Sequence, residues 1–244
     1  MLQLTYESDR LPAIASIVER MMRIRKGDSY FAGMWKTSLL GDLAWVSHDG
    51  GVRPRPSTYA PFWSWAASSG GIDWEPLCES KSPTTQVVDI NYTAVGPPHL
   101  GEVRNASITL RGSTFTATYS RLKYGRPQKF MIKNIYPACE VIKVRTGFYG
   151  PEKDYDYSTS ERPVKSGDPV TVLFLGFITP YTLVGIVLRS SSETEFERLG
   201  LLQLDHVKTE SLMKGPADGP KAKAYEKIVN DHIASLPIQE LRII

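Results

Sequence analysis

Cysteine is nearly missing from this sequence: Cys78 and Cys139 are the only two in 244 residues, far apart and in no CxxC pairing. That excludes a disulfide framework and a cysteine-based zinc site, and predicts two buried or inert thiols. Long apolar runs are missing as well. The longest, Val170 to Ile178, has the length of a strand and falls short of the ~18 residues of a membrane helix, so no membrane partner is expected. Residues 1–10, with Glu7 and Asp9, lack the basic-then-apolar order of a secretory signal, which predicts a cytoplasmic protein. Charge is not concentrated anywhere: 29 Lys plus Arg against 26 Asp plus Glu leaves +3, spread along the chain, and nucleic acid is not an expected partner.

The common catalytic signatures are missing too. The chain contains no GxSxG elbow, no P-loop, no GxGxxG after a strand and no HExxH. His48, His99, His206 and His232 are scattered, and none has a His or Cys partner at ligand spacing, so neither a metal nor a cofactor is expected. Asp205-His206 and His48-Asp49 pair an acid with an imidazole. Neighbours on a strand point to opposite faces, however, so adjacency does not orient a general base. No catalytic residue is identified.

What is present is the composition of a folded protein, 41% apolar and 23% charged, in a chain of a size that folds as one unit. Leu11, Ile14, Ile17, Val18, Met21 and Ile24 have the spacing of one helix face. Asp9 is placed to cap that helix, Pro12 falls in its first turn, and Arg23, Arg25 and Lys26 suit its C-terminal dipole before Gly27-Asp28 ends it. A second helix is predicted over Tyr30 to Val46, with Phe31, Met34, Trp35, Leu39, Leu43 and Val46 on roughly one side despite Gly33 and Gly41.

After Pro83 the pattern changes to short β-favouring runs. They are Gln86 to Tyr92, Ala106 to Arg111, Thr114 to Arg121, Phe130 to Ile135, Glu140 to Arg145, Pro169 to Ile178, Thr182 to Arg189, Phe196 to Leu204 and Glu240 to Ile244. Gly112-Ser113 reads as a tight hairpin turn between two of them. Thr146 to Asp168, rich in Gly, Pro and Tyr, reads as a surface excursion, either a lid or an ordinary irregular insertion. A last helix is predicted from about Pro220 to Ser235, after a connection from Lys214 to Gly219.

No helical crossover separates consecutive strands, which argues against a parallel βαβ sheet. The expected fold class is α+β and strand-rich: an antiparallel β-barrel or sandwich with two N-terminal helices and one C-terminal helix. The expected organisation is a single domain over 1–244, with a helical opening (1–48), an irregular aromatic segment (49–82), a β-rich body (83–212) and a C-terminal helix with the last strand (213–244).

The strongest local signal is aromatic. Trp35, Trp45, Tyr59, Phe62, Trp63, Trp65 and Trp74 cluster in a short stretch and bring much apolar surface with several N–H and O–H handles. They form either a junction that clamps the irregular segment to the sheet or the wall of a ligand cage. On the second reading the candidate ligand-binding residues are Trp35, Tyr59, Trp63 and Trp65, with Tyr149 and Tyr155 from the long excursion.

At these residues a family resemblance appears. Leu4-Thr5-Tyr6, Asp9-Arg10-Leu11-Pro12-Ala13, Tyr30-Phe31-Ala32-Gly33-Met34-Trp35 and Ala60-Pro61-Phe62-Trp63-Ser64-Trp65-Ala66 resemble the succession that follows the HET domain in fungal heterokaryon-incompatibility proteins. Leu100-Gly101-Glu102, Ser107 to Gly112, and Phe196-Glu197-Arg198-Leu199-Gly200-Leu201-Leu202 are similar to later strands of the same family. The family's HET domain would precede Leu4, where this chain has three residues, so the expectation is a stand-alone relative or a piece of a longer protein. The resemblance implies a fungal cytoplasmic setting and a link to non-self recognition and programmed cell death. It supplies no catalytic mechanism.

Two functions compete. The first is a non-catalytic recognition or regulatory module that binds a protein partner. The second is a cofactor-independent enzyme of fungal secondary metabolism, holding an apolar small molecule in an aromatic-lined barrel with the Tyr149 to Tyr157 loop as a lid. The lack of a catalytic constellation favours the first.

Overall fold

A computed structural model of the chain describes residues 9–47, 60–68, 71–78, 84–97, 103–119, 143–144, 164–165, 167–179, 182–205, 227, 230–231 and 233–244. A 3-10 turn, Pro12–Ile14, leads into helix α1 (Ala15–Ile24). Pro12 sits in the first turn, where its missing N–H costs nothing. The residue ahead of that turn is Leu11 and no side chain caps it, so Asp9 is not the cap that its position suggested. Gly27, at φ +83°, turns the chain away after the helix. The apolar stripe is divided: Leu11 and Val18 are buried, whereas Ile17 and Ile24 are 62% and 68% exposed.

The second helix expected over Tyr30 to Val46 does not form. Strands β1 (Tyr30–Phe31) and β2 (Met34–Trp35) make a hairpin, followed by a 3-10 turn Lys36–Ser38, a single helical turn α2 (Leu39–Asp42) and strand β3 (Trp45–Ser47). Ala32 at φ +48° and Gly33 at φ +87° give the two positive-φ central residues of a type I′ turn. The apolar spacing imitates a helix, but the chain instead turns at Ala32-Gly33, with Tyr30, Phe31, Met34 and Trp45 all buried. Strand β4 (Ile72–Trp74) pairs antiparallel with β3, setting Trp74 opposite Trp45, so the segment read as irregular contains a strand and a 3-10 turn, Trp65–Ala67.

The body is one sheet of β5 (Thr85–Ala94), β6 (Val103–Thr118), β7 (Lys143–Val144), β8 (Pro169–Thr179), β9 (Thr182–Ser190), β10 (Glu195–Asp205) and β11 (Ile238–Ile243). Neighbours run β5-β6-β8-β9-β10-β11, with β7 beside β10. All pairings are antiparallel except β10 with β11, which is parallel through Glu195↔Arg242 and Phe196↔Ile243. The other edge of β11 pairs with β6, placing Leu241 opposite Leu110. The fold is therefore strand-rich α+β.

Gly112-Ser113 is not a hairpin turn. β6 runs unbroken through it for 16 residues, pairing with β5 up to Gly112 and with β8 from Thr114. A Cβ on Gly112 would lie 2.0 Å from Thr85 Oγ1 and 3.1 Å from Leu173 Cδ1, so glycine serves the close crossing where β6 changes partner. Of the other expected runs, Phe130 to Ile135 lies outside the described residues, as does most of Glu140 to Arg145 and of the excursion Thr146 to Asp168. The C-terminal helix is described at 227, 230–231 and 233–235, ending where expected. No helix among the described residues is long and apolar enough to cross a membrane.

Both faces of the sheet are covered. Along β8, Leu173 and Leu175 enter one core and Val170, Val172 and Phe174 the other, as the alternation of strand side chains requires. The first core also takes Phe31, Met34, Leu39, Leu43, Trp45 and Trp63 from the N-terminal segment. The second takes Ala67 and Ile233, with Phe62 and Leu236 packed against it.

Candidate functional site

The aromatic junction is built from the tip of the β1–β2 hairpin. The turn conformation directs the carbonyls of Ala32 and Gly33 outward from the hairpin, and residues 60–68 supply donors for both. Ser64 Oγ donates to Ala32 O at 2.5 Å and accepts from Ala66 N at 3.0 Å, capping the turn Trp65–Ala67. Trp65 Nε1 donates to Gly33 O at 2.8 Å. A Cβ on Gly33 would sit 2.7 Å from that same nitrogen, so glycine is required by contact as well as by φ. Trp63 is fully buried, edge-on to Phe31 at 6.0 Å, and its carbonyl accepts from Trp45 Nε1 at 2.9 Å.

β10 contributes a group that locks the junction to the sheet. Arg198 is fully buried; one guanidinium nitrogen donates to Leu43 O at 2.7 Å and another to Trp45 O at 2.6 Å. The guanidinium also stacks 3.9 Å over the Trp45 ring. A planar fork meets two carbonyls and an aromatic face at once, which an ammonium could not do. Sequence reasoning missed Arg198 as a functional anchor. Its signal was a charged pair, Glu197-Arg198, directly ahead of the apolar run Leu199 to Leu202; Glu197 pairs with Arg189 at 2.6 Å on the neighbouring strand.

A polar network ties the end of α1 to α2. Arg25 Nε donates to Asp28 Oδ2 at 3.0 Å and its Nη2 to Thr37 Oγ1 at 2.7 Å, with the guanidinium 4.6 Å over the Trp35 ring. Asp28 Oδ1 accepts from Ser29 N and Thr37 N at 2.9 and 3.1 Å. Asp42 Oδ2 accepts from Trp35 N at 2.9 Å and Ser38 Oγ at 3.0 Å. Burial pushes the Asp42 carboxyl above its ordinary range, against the pull of the Trp35 and Ser38 donors and Arg25. Burial also works to raise Asp28, but the Thr37 hydroxyl and amide, Arg25 and Ser29 together outweigh it and lower its pKa. Burial, with Tyr92 and Asp42 nearby, raises the Tyr30 phenol. Asp42 thus takes up a proton more readily than a free carboxyl would, and its side-chain partner in the network is the Ser38 hydroxyl.

The three candidate ligand residues that are described, Trp35, Trp63 and Trp65, each pack against different partners. Trp63 faces Phe31 in the core, half-buried Trp65 reaches the turn carbonyl and Trp74, and half-buried Trp35 lies under Arg25 and beside Tyr30 at the open end of the hairpin. Tyr59, Tyr149 and Tyr155 lie outside the described residues, as do all four histidines and Cys139. Cys78 is half-buried and in no disulfide, and its amide donates to Phe177 O at 2.6 Å. Among the described residues no group of three or more His, Cys, Asp or Glu is placed to hold a metal ion. No family model matches the chain, and no curated protein or solved structure matches it either.

Proposed function

We propose that the chain is a non-catalytic protein-recognition module, related to the segment that follows the HET domain in fungal heterokaryon-incompatibility proteins and working in a cytoplasmic, non-self-recognition setting. One observation carries the reading: most of the described polar handles of the aromatic junction are spent on the protein's own backbone, while Trp63 Nε1 and the Tyr30 hydroxyl are buried with no hydrogen-bond partner among the described residues. Ser64 and Trp65 bind the hairpin turn, Trp45 binds Trp63 O, and Arg198 binds Leu43 O and Trp45 O. A ligand cage needs such groups free to orient its guest. The two blocks that carry most of the resemblance, Tyr30 to Trp35 and Ala60 to Ala66, are each other's hydrogen-bond partners, which gives their joint occurrence a physical reason.

The finer fold belongs to the same reading. Because β11 pairs with β10 on one edge and with β6 on the other, the path β6-β8-β9-β10-β11 returns to its start, which supports a small barrel with β5 as an outer strand. The test is expression of the chain alone in a fungal host, followed by purification and assays for turnover of nucleotides and of polyketide- and terpene-like metabolites. The expected result is normal growth and no turnover. Death of the host, or turnover that survives purification and disappears with a single substitution, would overturn the module in favour of the enzyme.

A further inference from the structure

α1 leaves two large apolar side chains of one row uncovered, where the other exposed ones outside the helix, Trp74, Val88, Val95 and Ile238, are scattered over different strands and a bend. Ile17 and Ile24 are 62% and 68% exposed, and they stand two helical turns apart, roughly 10 Å along the axis. Met21, four residues after Ile17 and three before Ile24, continues the row and is half-buried. Arg20 is likewise three and four residues from the two isoleucines, and Arg23 follows it one turn later; both are exposed. Glu19, the only carboxylate of α1, projects about half a turn away from the row.

We infer that this outer face of α1 docks an acidic amphipathic helical segment of a partner protein. The inference rests on the module reading and names its partner's chemistry. Two isoleucines spaced by two turns match the ridge of a second helix, and Arg20 at their rim, with Arg23 further round the helix, selects carboxylates beside the apolar residues of that helix. A second copy of this chain fits poorly. Pairing two such helices about a two-fold axis brings Arg20 against Arg20, because Arg20 lies near the middle of the exposed row. A lipid surface fits less well than a protein, since α1, Ala-Ser-Ile-Val-Glu-Arg-Met-Met-Arg-Ile, has none of the aromatic anchors of interfacial helices.

The experiment uses the full chain and three probes. These are a labelled synthetic helix with leucines on one face and glutamates at its rim, the same peptide with lysines for glutamates, and phosphatidylcholine vesicles containing phosphatidylserine. The acidic peptide should bind, more weakly as salt rises, and the lysine peptide should not. Ile17→Gln with Ile24→Gln should weaken binding about tenfold or more while leaving circular dichroism and melting temperature unchanged. Arg20→Glu with Arg23→Glu should exchange the preference between the two peptides. Acidic-peptide binding indifferent to the isoleucine pair overturns the inference, and so does no binding at all. Vesicle binding lost in the isoleucine variant would assign the face to a lipid surface instead, and a dimer lost in that variant would assign it to a second copy. None of these outcomes touches the module reading, which falls on turnover measured separately.

Discussion

Arg198 shows how one side chain can hold two parts of a chain together. Its guanidinium satisfies two buried carbonyls and covers Trp45, so replacing it exposes an asymmetry of hydrogen bonding: the carbonyls stay buried after their donor is gone. Arg198→Met should therefore lower stability by about 3 kcal/mol or more, seen as a fall in urea midpoint at unchanged slope. Arg198→Lys should fall between, because it keeps the charge and loses the fork and the stack. A loss under about 1 kcal/mol for Met would show that other donors reach the carbonyls. Asp42 and Asp28 make opposite contributions with pH. The folded-state pKa of Asp42 is raised, so its stabilising contribution is complete below the unfolded value and fades as pH rises through the folded one. Asp28 is lowered, so its contribution is complete above the unfolded value and is lost as pH falls through the folded one. As pH falls from neutral toward the ordinary aspartate range, the melting temperature of the wild type should gain on that of Asp42→Asn, and as it falls further, below that range, it should lose ground to that of Asp28→Asn. Parallel curves would contradict both assignments.

At the scale of elements, two glycines were misread in opposite directions. Gly33 looked like a tolerated interruption of a helix and is the second residue of a type I′ turn; Gly112 looked like a turn and lies inside a strand. Periodicity counts where side chains point, and both a helix and a hairpin followed by a helical turn can place Phe31, Met34 and Leu39 inside. What separates them is the sign of φ at Ala32 and Gly33, held by donors from residues 64 and 65, which no local window contains. At Gly112 the deciding contact is with Thr85, whose Oγ1 donates to Phe174 O at 2.5 Å. Gly112→Ala should cost about 1–3 kcal/mol through overpacking. Thr85→Ala should relieve part of that cost, so the double variant should be more stable than the sum of the singles predicts. Strict additivity in the double-mutant cycle would mean that the crossing at Thr85 is not what requires glycine.

On the scale of the whole molecule, the first core draws on the hairpin, α2, β3 and the sheet together, which argues that the N-terminal segment and the sheet unfold as one. The chain carries its own reporters. All five tryptophans, Trp35, Trp45, Trp63, Trp65 and Trp74, belong to the N-terminal segment, whereas the far-ultraviolet circular dichroism is dominated by the strands from β5 onward. Thermal or urea unfolding followed by the two signals should give one coincident transition. A tryptophan transition that precedes loss of strand signal would divide the chain into two units near β4.

Much of this architecture is determined by the sequence alone. The near-continuous apolar runs at 170–178 and 182–188 require strands covered on both faces. The spacing from Leu11 to Val18 requires a helix with a buried edge, and the density of tryptophan between 35 and 74 requires a junction rather than a linker. Of the proposed ligand residues, Trp63 and Trp65 both read as buried walls and Trp35 as an anchor on a helix face; Trp63 is buried, Trp65 is half-buried and Trp35 stands on a strand. Contacts made on folding set the rest: that Ala32-Gly33 turns, that Gly112 crosses, that Leu11 precedes the first helical turn with no side-chain cap, and that Arg198 enters the core. In three of these the deciding partner lies far along the chain: Ser64 and Trp65 for the turn, Thr85 and Leu173 for the crossing, Leu43 and Trp45 for the arginine. Local pattern reports which way a side chain faces, but a positive φ, a missing Cβ or a buried charge is stabilised by groups that only folding brings within reach.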